Sequence, residues 1–239
     1  VTPTIDSGDT MPAANAKRLP ALPLIRHLSR TVTPLLARLP VTANQITTVA
    51  LALGLAAAYA AAFGTWVSTV VAGVLLVGGY VLDNCDGEIA RLKNQCSTFG
   101  MHYDSFVDWV VHTAFFAALG VGVAAETGEP VWLWLGLAAA LGCTLNYGLS
   151  VAVVACRRAP VDTAQDGSGP AAMNSPETPQ NAKEWVLFAF RELSRADFCF
   201  IVLVLALLDA AWILLPAGAI GAQVYWAALM IRRARDFRV

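Results

Sequence analysis

Charge is scarce in this chain of 239 residues: Asp, Glu, Lys and Arg make up 14% of it, against roughly 25% in an ordinary soluble domain. With 57% of the residues hydrophobic, that deficit argues against a water-soluble globule and makes lipid the expected solvent. The five cysteines (Cys85, Cys96, Cys143, Cys156 and Cys199) are odd in number and nowhere spaced as CxxC. Zinc-ribbon and thioredoxin-like chemistry are therefore not indicated, and reduced thiols used as small apolar filler are expected. Residues 1–16 lack the basic start, apolar core and cleavage site of a signal peptide and read as a disordered cytoplasmic tail. No internal repeat is apparent. The formal net charge of -1 draws the chain toward no particular partner, and no nucleic-acid partner is expected.

What is present is a series of long apolar runs, approximately Ile46 to Phe63, Trp66 to Leu82, Phe106 to Ala125, Val131 to Ala155, Phe198 to Leu215 and Ala217 to Ile231. About 20 such residues cross a bilayer as a helix, so the expected fold is an all-α integral membrane protein with six transmembrane helices. All 16 Lys and Arg residues fall in segments that six crossings place on one side. The opposite loops hold only Glu126, Glu129 and, at the edge of a run, Asp209. The positive-inside rule then puts both termini in the cytoplasm, and Trp66, Trp132, Trp134 and Trp212 fall at the outer ends of their spans, as an interfacial aromatic belt requires. The expected location is the cytoplasmic membrane of a bacterium. The polar, proline-rich stretch from Ala159 to Lys183 reads as a loop by composition.

Residues 17–40 form a basic segment without acids, in which Leu22, Leu24, Ile25, Leu28, Val32, Leu35 and Leu36 alternate with Arg and His. Such a segment suits a helix lying in the cytoplasmic membrane interface, although Pro20, Pro23 and Pro34 are expected to limit its continuity. A plain topology-setting flank is the alternative. Residues 41–239 then form the membrane domain.

Chemistry concentrates between Asp83 and Asp108, in DNCDGEIARLKNQCSTFGMHYDSFVD. Asp83, Asp86/Gly87 and Ala90 share a helical face at i, i+3/i+4, i+7, and Gly100, Asp104 and Asp108 do so at i, i+4, i+8. The short stretch between them forces a tight turn, so two antiparallel helices bring their acidic faces together. Four carboxylates near bilayer depth repel and are costly to desolvate without a countercharge. Oxygen-only ligands favour hard divalent ions over zinc, and two such ions balance four acids. A two-metal site suits displacement at phosphorus. Singly, each Asp would be read as a cap or ion-pair partner and each Gly as a packing contact; the shared phase of all four argues otherwise. Glu88, Glu192, His102 and Cys85 lie off these faces or outside the motif and read as structural.

The run Asp83, Asp86-Gly87, Ala90-Arg91, Gly100, Asp104, Asp108, with its spacing, resembles the signature of the CDP-alcohol phosphotransferases without departure. The likeness extends to the six spans, the basic N-terminal segment and the stretch Thr42-Ala43-Asn44-Gln45-Ile46-Thr47. It implies two divalent ions, Mg²⁺ or Mn²⁺, held by Asp83, Asp86, Asp104 and Asp108, with Asp108 also the general base. It further implies a CDP cradle of Asp83, Gly87, Ala90, Arg91 and Gly100, a CDP-linked donor, a hydroxyl acceptor, release of CMP, contact with membrane lipid, and a homodimer.

Substrates are less legible. The phrases CDGEIARLKNQ and RELSRADF look most similar to the branch that joins CDP-inositol to inositol phosphate. A phosphorylated acceptor would need cations, for which Arg191 and Arg195 are the first candidates and Arg157 and Arg158 the second; each is otherwise a topology-setting charge. Transfer from CDP-choline or CDP-ethanolamine to diacylglycerol is the alternative within the family. A carboxylate-lined ion transporter is the alternative outside it, disfavoured because the acids cluster at one membrane face and no broken-helix repeat appears.

Overall fold

A computed structural model describes residues 24–156 and 197–236. Every regular element among the described residues is helical: α1 (Leu24–Ala37), α2 (Ala43–Ala61), α3 (Trp66–Leu92), α4 (Thr98–Thr127), α5 (Val131–Cys156), α6 (Phe198–Leu207), a 3-10 turn (Ala211–Ile213) and α7 (Leu214–Asp236). By length and composition α2, α3, α4 and residues Val131–Ala152 of α5 can each cross a bilayer, which fits an integral membrane protein. Two further apolar helices, Phe198–Leu207 and Ala211–Val224, are shorter.

Local chemistry sets the helix boundaries. The Thr42 hydroxyl accepts from the Gln45 amide at 3.3 Å while the Gln45 side chain accepts from the Thr42 amide at 3.0 Å, a reciprocal capping box that starts α2. Thr65 caps α3 by accepting from the Ser68 amide, and Ser97 caps α4 by accepting from the Gly100 amide at 3.0 Å. Between α3 and α4 the chain reverses through Asn94, whose φ of 54° lies in the left-handed region that Asn tolerates, and the Gln95 amide returns to the Ala90 carbonyl at 2.8 Å. The tight turn expected from the sequence is thus built, and α3 and α4 run antiparallel.

At 1.5 Å per residue, the 27 residues of α3 and 30 of α4 span about 40 and 45 Å, longer than the ~30 Å hydrocarbon core. The acidic motif lies toward the ends of the two helices that the Asn94 turn joins. Packing is close elsewhere: a Cβ on Gly120 of α4 would meet the Trp132 carbonyl at 2.9 Å and Gly136 Cα at 3.0 Å, so α4 and α5 touch backbone to backbone, as small residues permit in membrane helices. Phe115, Leu119, Leu76, Val202 and Leu215 lie in the buried core.

Two expectations are corrected. The break between the last two apolar runs falls at Leu208–Ala210 rather than beside Pro216, which instead occupies the first turn of α7, where a proline's missing N–H is harmless. Asp209 makes the break with a φ of 55°. Pro34 does not interrupt α1, which runs through it to Ala37; near a helix end the proline removes one hydrogen bond without stopping the chain.

α1 packs on α3, with Ile25, Ser29 and Thr33 buried. The Asp197 carboxylate, itself fully buried, accepts from the Leu24 and Ile25 amides at 2.9 and 3.0 Å. An anion thereby meets the free N–H groups at the positive end of α1. Ser29 donates to Glu88 at 2.9 Å, and Lys93 Nζ donates to the Leu39 and Val41 carbonyls at 2.7 and 2.9 Å.

Candidate active site

The acidic faces of α3 and α4 meet. Carboxylate oxygens of Asp83 and Asp86 from α3 and Asp104 from α4 all lie within 4.8 Å of one another. Asp86 is buried, and Asp83 and Asp104 are half-buried. From α2, the Thr47 hydroxyl donates to Asp86, fixing one carboxylate rotamer. Asp108, one turn deeper along α4, is more exposed; it and Asp83 face a small cavity of about 20 Å³ that Tyr80, Gly54 and Val107 also line.

Such convergence of anionic oxygens is costly unless a cation enters, and an all-carboxylate donor set matches the preference of a hard divalent ion. The residues therefore fit a metal, with Asp83, Asp86 and Asp104 as the gathered ligands.

The small residues of the motif each have a local reason. A Cβ on Gly87 would stand 3.5 Å from Nη1 of Arg91, so the guanidinium of this exposed arginine folds back over Gly87. A Cβ on Gly100 would come within 3.2 Å of both Asn44 Oδ1 and Ser97 Oγ, so a larger residue would press on the two polar groups beside it. Ala90 also serves the helix end, through its carbonyl. Glu88 and Cys85 point to α1: Glu88 accepts from Ser29, and Cys85 Sγ lies 3.7 Å from the Ser29 carbonyl. His102 is exposed, with Nδ1 2.7 Å from the Thr98 carbonyl. Arg157, Arg158, Arg191, Glu192 and Arg195 lie outside the described residues.

Three neighbours of the site went unrecognised in the sequence. Thr47 stood within a stretch read for its family likeness, but nothing in the chain pairs it with Asp86, 39 residues away. Tyr80 and His112 sit among apolar residues, where a lone polar side chain was the available signal; the Tyr80 hydroxyl lies 2.6 Å from His112 Nε2.

A bundle of bilayer-length helices with three carboxylates converging between two of them defines a membrane protein whose gathered acids could hold a hard cation. The family model for CDP-alcohol phosphatidyltransferase matches residues 40–231, and the chain belongs to that family of enzymes. Among curated proteins, it is 36% identical over 123 residues to the "Bifunctional IPC transferase and DIPP synthase" of Thermococcus kodakarensis, covering 50% of this chain and 27% of that protein. It is 32% identical over 114 residues to the protein of the same name from Aquifex aeolicus, covering 48% and 26%. The chain thus spans about a quarter of the length of the curated relatives it matches.

Proposed function

We propose that this chain transfers a phosphoalcohol group from a CDP-linked donor to a hydroxyl acceptor and releases CMP, with two divalent ions, Mg²⁺ or Mn²⁺, held by Asp83, Asp86, Asp104 and Asp108. The observation that carries the reading is the gathering of three carboxylates from two helices within 4.8 Å, in a chain whose family works on CDP-alcohols. When bound, the metal supplies positive charge for the donor's pyrophosphate. Asp83, Gly87, Ala90, Arg91 and Gly100 form the nucleotide cradle: Gly87 and Gly100 admit the ligand close to the backbone, and the Arg91 fork pairs with a phosphate oxygen. Asp108 takes the proton from the acceptor hydroxyl. The acceptor oxygen then bonds to the phosphorus bearing the donor alcohol, and the bond from that phosphorus to CMP breaks.

A phosphorylated polyol is the acceptor best supported, through the likeness to the CDP-inositol branch and the names of the two relatives. Arg191 and Arg195, with Arg157 and Arg158 behind them, would receive its phosphate. α1 lies in the cytoplasmic membrane interface, a role favoured by the exposed Leu24, Leu28 and Leu35 beside its arginines. The enzyme acts as a homodimer in the cytoplasmic membrane, by family likeness.

Purified protein incubated in parallel with CDP-inositol, CDP-diacylglycerol and CDP-choline, each with inositol phosphate, glycerol phosphate or diacylglycerol, is expected to release CMP in a polyol-phosphate pairing. Excess chelator should stop it. Undiminished turnover in chelator refutes the mechanism, and diacylglycerol as the preferred acceptor refutes the role given to the arginines. Orientation has its own check, since Cys96 is exposed in the turn between α3 and α4: an impermeant thiol reagent should label it only from the cytoplasmic side. Labelling in intact right-side-out cells would reverse the topology.

A further inference from the structure

Beneath the acidic cluster, α3 and α4 are joined by a second pair of side chains. Tyr80 precedes Asp83 by three residues on α3, and His112 follows Asp108 by four on α4. The Tyr80 hydroxyl lies 2.6 Å from His112 Nε2, and His112 Nδ1 lies 2.7 Å from the Asp108 carbonyl. A carbonyl only accepts, so Nδ1 carries a proton, and the Tyr80 hydroxyl, able to donate or accept, completes the link at Nε2. Phe198 of α6 packs on the imidazole, with ring centroids 6.0 Å apart, and Phe198 also packs on Phe116 at 5.9 Å. The ring is thereby held from swinging out of line.

We infer that Tyr80 and His112 are positioning residues, a cross-brace that sets the separation of α3 from α4 and so the opposition of Asp108 to Asp83 across their shared cavity. The link is direct at both ends: Tyr80 lines that cavity with the two aspartates, and His112 holds the backbone of Asp108 itself. Its importance scales with the demand for placement, because a misplacement of about 1 Å can cost on the order of a hundredfold in rate. Tyr80 and His112 lie further than the gathered acids from the Asn94 turn that joins α3 and α4, so a change at this depth moves Asp108 against Asp83 more than it moves Asp104 against Asp83 and Asp86. The kinetic part of the test rests on the transfer reaction proposed above; the spectroscopic part does not.

The test compares wild type, Tyr80→Phe, His112→Asn and His112→Phe by three measurements: CMP release, Mn²⁺ binding, and the ¹⁵N spectrum of labelled histidine. With three histidines in the chain, the His112 signals are assigned by their loss in His112→Asn. Wild type is expected to show Nδ1 protonated, with Nε2 shifted by the Tyr80 hydrogen bond and that shift lost in Tyr80→Phe. Tyr80→Phe should lower kcat about tenfold while donor KM and Mn²⁺ affinity stay within about twofold of wild type. His112→Asn, which keeps a donor for the Asp108 carbonyl, should retain more kcat than His112→Phe. Should His112→Phe fail to fold, Tyr80→Phe and His112→Asn decide the matter alone. Wild-type kcat in Tyr80→Phe, a kcat loss matched by lost Mn²⁺ affinity, or a ring unprotonated at Nδ1 would each overturn the inference. If wild type itself releases no CMP from any donor while the ring shows the expected tautomer, the transfer reading has failed, and a brace with no bearing on catalysis is overturned with it as a positioning device; the wrong tautomer with active wild type overturns the brace alone.

Discussion

Both ends of the bundle hold a cavity and carboxylates, and they differ in a way that volume does not reveal. Around Trp132 and Trp212, whose rings lie 5.7 Å apart, the helices enclose about 430 Å³, lined in part by Glu126, Asp209, Thr127 and Thr69. At the motif end the cavity is about 20 Å³. The larger one has the room of a ligand pocket, yet its acids come from loop-side positions that are exposed to solvent, where a carboxylate keeps its hydration. At the motif end three carboxylates converge in partial burial, and a hydroxyl from a third helix holds one of them. Convergence of ligand atoms, with the cost it imposes on the fold, points to chemistry; empty volume alone does not.

The comparison breaks first under neutral substitution of the acids. Asp83→Asn, Asp86→Asn and Asp104→Asn should each lower turnover at least about a thousandfold and weaken Mn²⁺ binding, because each removes one charge from a shared cluster. Glu126→Gln and Asp209→Asn should leave both within about twofold, as surface substitutions do. Metal titration and CMP release on the same preparations check both halves. Equal losses at the two ends would show that the larger cavity takes part in the reaction.

A smaller effect separates Asp108 from its neighbours. It faces the cavity with Asp83 but stands outside the group whose oxygens lie within 4.8 Å of one another. Asp108→Asn should therefore lower kcat by about a hundredfold or more, the usual scale of lost general-base catalysis, with Mn²⁺ affinity falling less than in Asp104→Asn. A variant that loses metal as completely as Asp104→Asn would make Asp108 a ligand first.

Much of the site was legible because helical phase is a property of spacing. Asp83 and Asp86, and Asp104 and Asp108, declare their faces by i+3 and i+4 intervals, and the short connection between them leaves only an antiparallel turn. What stayed hidden was non-local. Thr47, Glu88 and Asp197 are each polar residues near an apolar run, and their partners (Asp86, Ser29 and the amides of Leu24 and Ile25) are decided by which helices pack together. The misplaced break near Pro216 has a different cause. Proline ends one helix or begins the next with equal ease, and Asp209, able to adopt the left-handed conformation of the turn, was the better marker. The four acceptor-side arginines fall outside the described residues, so their reading rests on the sequence and the family.

The smallest expected effect concerns the polar ties that gather at the motif end, of which Asp197 is the most isolated from the chemistry. Its carboxylate is fully buried and accepts from the first two amides of α1, 173 and 172 residues away in sequence. Removing it leaves those N–H groups without their partner in a site that water reaches poorly, and removes an anion from the positive end of a helix. Each of those losses is of the size of a helix cap, so Asp197→Ala should destabilise the protein by about 1–2 kcal/mol. Asp197→Asn, which keeps one acceptor oxygen and loses the charge, should cost less. Because α1 is also fastened to α3 through Ser29 and Glu88, its central turn should persist while its first turn frays, which amide hydrogen exchange at Leu24 to Arg26 would report against unchanged exchange in the middle of α3. Thermal unfolding in detergent supplies the stability difference. If Asp197→Ala matched wild type in both measurements, the contact would be incidental, and the docking of α1 would rest on its buried Ile25, Ser29 and Thr33 face alone.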